Sequence, residues 1–217
     1  MVAQHASPNC GPRRAGLTPS LVVIHYTAMS GVEAACKRLC DPEAEVSAHY
    51  LIANCGAVVQ LVQEDQRAWH AGAGSWAGQG DINSRSIGIE LDNTGRHPFS
   101  EPQMTALETL LRQIMPRWGI TPQGVIGHSD MAPGRKTDPG PKFDWGRLAR
   151  QGLARSNNSV LVPAGPVDEA GFTKAARAAG FTADVPFATL LDATRLRFAP
   201  WRQGPLQAAD LALPALV

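Results

Sequence analysis

Residues 21–27, LVVIHYT, form an apolar, β-branched run that is too short for an ordinary helix and carries a histidine, His25, near its end. Such a run reads as a buried strand with a polar group at its end. Residues 47–62, SAHYLIANCGAVVQLV, give two further strands joined at Asn54-Cys55-Gly56, a hairpin. In SIGIELD, residues 86–92, alternation places Ile87, Ile89 and Leu91 on one side and Glu90 on the other. Between these runs lie helical patterns. GVEAACKRLCDP repeats Val32, Ala35, Cys36, Leu39 and Cys40 at helix spacing. Ser100 opens SEPQMTALETLLRQIMPRWG, with Pro102 in the first turn and Gln103 placed for a capping box. Met104, Leu107, Leu111, Ile114 and Met115 follow at helical intervals. A last short strand, GVIG at 124–127, leads into a loop from His128 to Pro141. Strands alternating with helices predict an α/β fold, a mixed central sheet flanked by helices.

The pattern changes near residue 152. GLARSNNSVLVPAGPVDE has no sustained periodicity and the small, polar, proline-containing make-up of a linker, assigned to 153–167. Residues 168–217 carry three short helical patterns, a small C-terminal bundle of marginal size for an independent fold. The chain thus divides into a domain over 1–152, a linker, and a helical appendix.

Composition removes several classes of function. Hydrophobic residues make up 44% and charged ones 18%, the range of globular proteins, and 20 basic against 19 acidic residues leave a formal charge of +1. Without a basic run there is nothing to neutralise a row of phosphates, so nucleic acid is not an expected partner. No apolar stretch is long enough for a membrane span. The first twenty residues lack the apolar core of a secretory signal, so the expectation is a cytoplasmic protein; a periplasmic one is the alternative if the native start was trimmed. Cys10, Cys36, Cys40 and Cys55 are then expected as reduced thiols, Cys36 and Cys40 packing in a helix.

Two imidazoles at strand ends, His25 and His128, together with Asp138 make a set that can hold catalytic zinc and leave a fourth position open. Pro133, Gly134 and Pro139 let the intervening loop fold back. Asp130 and Asp144 are alternative carboxylates. No H-E-x-x-H helix occurs, and AGAGSWAGQG lacks the Lys-Ser/Thr of a phosphate-binding loop. His5 and His97 read as surface residues.

Read together, IHYTA, WHAGAGSW, NSRSIGIELDN and GHSDMAPGRKTDPGPKFDW, in that order, resemble the AmpD-type zinc-dependent N-acetylmuramoyl-L-alanine amidases, relatives of phage T7 lysozyme and the peptidoglycan recognition proteins. The resemblance covers roughly residues 8–152 and includes the entry segment SPNCGPR; the C-terminal patterns look like a degenerate peptidoglycan-binding domain. It implies His25, His128 and Asp138 as ligands of Zn2+, Glu90 as the group that activates water, and Lys136 as the stabiliser of the oxyanion. The implied reaction cuts the amide between N-acetylmuramic (or anhydro-N-acetylmuramic) acid and L-alanine in peptidoglycan fragments during cell-wall recycling. Trp69, His70 and Trp76 flank the glycine loop and could stack on sugar or hold the peptide stem. For Asn83 and Arg85 the resemblance suggests loop fixing or ligand contact, and for His49 a wall of the cleft. Two other readings use the same residues: a peptidoglycan sensor that binds without cutting, and a periplasmic amidase acting on intact wall.

Overall fold

Alternating apolar side chains can bury both sides of a strand only if each side of the sheet is covered, and this chain covers its two sides differently. The computed structural model describes residues 2–156 and 166–216. Its strands are β1 (Ala3–Gln4), β2 (Cys10–Pro12), β3 (Leu21–Tyr26), β4 (Tyr50–Ile52), β5 (Val58–Gln60), β6 (Gln66–Ala68), β7 (Ser86–Leu91) and β8 (Val125–Gly127). The helices are α1 (Val32–Leu39), α2 (Ile82–Arg85), α3 (Glu101–Trp118), α4 (His128–Met131), α5 (Trp145–Arg150), α6 (Glu169–Ala178) and α7 (Phe187–Phe198). Six strands make the central sheet in the order β1-β5-β4-β7-β3-β8, and β2 pairs with β6 in a small ribbon. β4, β7, β3 and β8 run parallel; β5 is antiparallel to β4 through the expected hairpin, whose turn Gly56 closes at φ +86.

Side chains paired across parallel strands share a face, so register sorts the sheet. Val22, Ile24, Ile87, Ile89, Leu91 and Val125 face α3 and α5, burying against Met104, Leu107, Leu111, Ile114, Trp145 and Leu148. On the other face, Leu51 packs under α1, while Val23 and Ile126 join Phe172, Ala176, Leu190 and Phe198 of the C-terminal helices in one core. Between those two apolar patches lie Gly88, Glu90 and His25, with Glu90 directly opposite His25 in the register.

Local chemistry explains the elements and three departures from expectation. Ser100 caps α3 by accepting from the Gln103 amide at 3.3 Å, and Gly119 ends the helix in the left-handed region at φ +65. The Gln103 side chain, however, does not return to Ser100. It donates to the Ile52 and Asp92 carbonyls at 2.9 and 3.2 Å, tying the helix to the sheet edge instead of completing a capping box. The third C-terminal pattern forms only one 3-10 turn, Ala208–Asp210, held between Pro205 and Pro214 by a buried ion pair of Asp210 with Arg195. The start of the expected linker, Leu153 and Ala154, is buried in the core, and Arg155 donates to the Pro214 and Ala179 carbonyls; residues 157–165 of that linker lie outside the described residues.

Candidate active site

The C-terminal ends of parallel strands are where side chains from separate elements converge on a cleft. β3 delivers His25, β7 delivers Glu90, and the chain leaving β8 delivers His128 as the first residue of α4. Asp138 arrives from the loop beyond, which is anchored where the Ser129 amide donates to the Asp138 carbonyl at 3.0 Å. The Nδ1 atoms of His25 and His128 lie 2.9 Å apart, and Asp138 Oδ2 is 2.9 and 3.0 Å from them. All three residues are buried.

The outer nitrogens of both rings are committed elsewhere. His128 Nε2 meets the Ala71 carbonyl at 2.9 Å, which can only accept, so that nitrogen carries the proton and Nδ1 presents a lone pair. His25 Nε2 meets His70 Nδ1 at 3.0 Å; His70 Nε2 meets Ser86 Oγ at 3.2 Å, and the Ser86 hydroxyl donates to the Ile82 carbonyl at 2.6 Å. The final carbonyl fixes the direction of every bond in this chain, leaving His25 Nδ1 unprotonated too. Burial, then the neighbouring His128, pushes His25 down to about 4, so its ring is neutral at neutral pH. Burial raises Asp138, but the two imidazoles whose Nδ1 atoms face its Oδ2 outweigh it and hold the carboxyl well below the usual carboxylate range. Two imidazole nitrogens and one carboxylate oxygen facing one point suit a cation, and the cluster can hold a metal ion.

Glu90 is partly open to the cleft, yet its Oε2 is buried with no hydrogen-bond partner among the described residues. Burial, then the charge of Asp138, pushes its carboxyl up to about 8, while Lys136 acts in the opposite sense. Lys136 stands exposed at the rim. The cleft, about 380 Å³, is lined by His25, Glu90, His128, Lys136 and Asp138 together with Trp69 and His70.

Other expected site residues take different places. Trp76 is 3% exposed and packs edge-on to Phe181 at 5.2 Å, in the core shared with the C-terminal helices rather than in the cleft; Gly180 lies so close that a Cβ there would be 2.7 Å from the indole. His49 is fully buried behind His70, accepting from the Gly88 amide and bonding the Gln66 carbonyl, so it is not a cleft wall. Arg85 donates to the Gly80 carbonyl within the glycine loop and does not line the cleft. Asn83 fixes that loop, its Oδ1 accepting from the His70 and Ala71 amides at 3.0 and 2.8 Å. Of the alternative carboxylates, Asp130 turns back to the Gly127 amide and Asp144 caps α5; neither joins the histidines.

Several residues went unremarked in the sequence. Tyr26, whose hydroxyl is 3.1 Å from Thr137 Oγ1, Arg38 and Arg135 line the cleft; Arg135 donates to the Ala71 carbonyl. Arg13 threads its guanidinium among the carbonyls of Glu64, Asn83, Ser84 and Ser86. Tyr26 adjoins His25 in the sequence; Arg13 and Arg135 act on backbone carbonyls, which no side-chain pattern marks.

The model of the N-acetylmuramoyl-L-alanine amidase family matches residues 15–141. The chain belongs to this family. Among its amidase relatives, AmiD of Escherichia coli strain K12 is 40% identical over 149 residues, 61% of this chain and 53% of AmiD. The match thus takes in about half of that relative's length. The 1,6-anhydro-N-acetylmuramyl-L-alanine amidase AmpD of the same strain is 36% identical over 65% of this chain and 87% of AmpD. A solved complex of E. coli AmiD with anhydro-N-acetylmuramic acid-L-Ala-D-gamma-Glu-L-Lys superimposes with a TM-score of 0.79 at 32% identity, covering 92% of this chain and 89% of that one. That span reaches into the C-terminal helices, so the likeness is not confined to the amidase-matched segment.

Proposed function

We propose that the chain is a zinc amidase that hydrolyses the bond between the lactyl carbonyl of N-acetylmuramic or anhydro-N-acetylmuramic acid and the amino group of L-alanine. The observation that carries this reading is the convergence of His25, His128 and Asp138 within 3.0 Å at the floor of a cleft, beside an unpartnered carboxyl oxygen of Glu90. Zinc held there would polarise the amide carbonyl and lower the pKa of a water toward about 7. Glu90 takes the proton of the attacking water on Oε2 and returns it to the leaving nitrogen. A carboxyl already raised by its surroundings suits a group that must do both. Lys136 offers positive charge at the rim where the carbonyl oxygen becomes negative. The C–N bond breaks, a C–O bond forms, and the products are the free muramic carboxylate and a free peptide amine. Trp69, partly exposed in the cleft, offers an apolar surface to the sugar, and His70 acts behind His25. A sensor that binds without cutting would have no use for a complete donor triad.

The preferred substrate in this reading is a soluble muropeptide met in the cytoplasm during wall recycling. The four free thiols suit a reducing compartment, and no described helix is long and apolar enough to cross a membrane. One observation favours the alternative of a periplasmic enzyme acting on intact wall: Trp201, on the C-terminal segment, is 77% exposed and is the kind of side chain that grips sugar. We assign residues 1–152 to catalysis and 168–217 to a helical, peptidoglycan-binding-like region that also braces the site, since α7 meets the loop bearing Asp138 where a Cβ on Gly134 would lie 2.7 Å from Thr189. Parallel digestion of anhydromuramyl-peptides and of polymeric sacculi, with and without chelator, tests the assignment. Chelator-sensitive turnover faster on the soluble fragments is expected; faster digestion of sacculi would select the wall-acting enzyme, and metal-loaded protein releasing no peptide from either would select the sensor.

A further inference from the structure

A second convergence of metal-binding side chains lies outside the cleft, where the N-terminal segment crosses α1. The ligand atoms of His5, Cys36 and Cys40 all fall within 4.8 Å of one another, with His5 exposed and both thiols half-buried. Their positions are built in. The His5 amide donates to the Gln60 carbonyl at 3.0 Å, extending the pairing of β1 with β5, and two residues on the Ser7 hydroxyl donates to the Leu39 carbonyl at 2.6 Å. These bonds carry the imidazole to the last turn of α1. Cys36 and Cys40 stand one turn apart on that helix, with the Cys40 amide donating to the Cys36 carbonyl at 3.1 Å.

Three chemistries could use such a cluster, and geometry separates them. A disulfide needs Cβ atoms about 3.5–4.5 Å apart. Side chains four apart on an intact helix hold theirs about 5–6 Å apart, so oxidation would have to unwind the turn. Plain packing accounts for two small apolar thiols but not for the imidazole brought to them from another element. Coordination accounts for all three. Two sulfurs and one nitrogen form a soft-to-borderline set that selects zinc-like d10 cations, unlike the oxygen-containing, fully buried set at His25. The cluster also sits at the C-terminal end of α1, where the backbone carbonyls favour positive charge.

We infer that His5, Cys36 and Cys40 form a second metal site, a thiolate–imidazole site for a d10 cation with the remaining position open to solvent. Occupancy fastens the N-terminal segment to α1, and α1 contributes Ala35, Arg38 and Leu39 to the wall of the cleft. The site is therefore a clamp on one side of the cleft, and it stands whether or not the amidase reading does.

Cadmium(II) titrated into the full-length, reduced protein tests this, because thiolate-to-cadmium charge transfer absorbs in the ultraviolet and the nitrogen and oxygen donors at His25 contribute no such band. One equivalent is expected to develop the band in the wild type and in Cys55→Ser, whose exposed thiol is not one of the three clustered ligands. Cys36→Ser and Cys40→Ser should each abolish the one-equivalent band, and His5→Ala should weaken binding by on the order of tenfold or more. Absence of the band in the wild type would overturn the site. So would a band that survives in both cysteine variants, or an unchanged affinity in His5→Ala.

Discussion

The two faces of the central sheet are made by the same strands and do different work. Toward α3, Ile24, Ile87, Ile89 and Leu91 alternate into a wholly apolar layer. Toward the cleft, the intervening positions His25, Gly88 and Glu90 carry lone pairs, a close approach and a carboxyl. Gly88 shows how tightly the second face is drawn: a Cβ there would come within 2.5 Å of the His70 ring, which lies over the strand and supports His25 from behind. The first face can tolerate any side chain of the right volume; the second requires particular atoms at particular distances. The chemistry is thus confined to one strand parity, on a face that also carries Val23 and Ile126 into the core under the C-terminal helices.

Changes on the polar face should remove function without unfolding the chain. Asp138→Ala and His128→Ala are expected to abolish metal binding and turnover, whereas Asp130→Asn, altering a carboxylate that faces the Gly127 amide, should retain the metal. Metal content by mass spectrometry, alongside a thermal melt, checks both; loss of zinc in Asp130→Asn with the triad intact would break the distinction.

Removing the cover from the apolar part of the cleft-side face should do the reverse. Truncation after Gly152 exposes Val23, Ile126 and Met131, now buried beneath Phe172, Leu190 and Phe198. Each large side chain so exposed is worth about 1.5–3 kcal/mol, so a loss of several kcal/mol is expected. A truncated protein melting with the full chain would show that the C-terminal helices are a detachable unit.

The boundary between the faces is sharpened at His70. His70→Ala should weaken zinc binding by about 10–100-fold, the scale for removing a partner behind a metal-ligating histidine. His70→Asn, which restores an acceptor toward His25, should recover part of it. Competition with a chromophoric chelator measures both, and equal loss in the two variants would make the role one of packing alone.

The smallest effect expected concerns the C-terminal segment. Burial raises Asp210, but hydrogen bonds from Arg195 and Arg202 outweigh it and bring the carboxyl from 3.8 to about 2. A depressed folded-state pKa contributes stability that is present above the unfolded value and lost as pH falls through the folded one. The melting temperature should therefore drop between pH 4 and pH 2 by more in the wild type than in Asp210→Asn. Identical pH dependence in the two would remove the pair from the account.

Much of this was legible in the amino-acid order because it is local. The run LVVIHYT, the alternation of SIGIELD and the spacing of Met104, Leu107 and Leu111 each state a period, and the side to which Glu90 points follows from parity alone. The α/β class and the hairpin at Gly56 are of this kind. What lay hidden depends on distant partners. β1 is two residues long and exists because β5 accepts it at the sheet edge, while β2 and β6, three residues each, exist as each other's partners. Trp76 looks like a sugar platform in a glycine loop until Phe181, more than a hundred residues on, covers it. His70 and Asn83 act through one atom of a ligand and two backbone amides, contacts that leave no pattern. His5 reads as a surface histidine until β1 brings it to two cysteines.

The most direct measurement is digestion of a purified anhydromuramyl-tripeptide by the zinc-loaded wild type and by Glu90→Gln of equal zinc content, with products identified by mass. The wild type should release anhydromuramic acid and the intact tripeptide, and the variant should turn over slower by on the order of a hundredfold or more, as for a lost general base. Scission at any other bond, or near wild-type turnover by zinc-loaded Glu90→Gln, would contradict the assignment of the cleft-side face to amide hydrolysis.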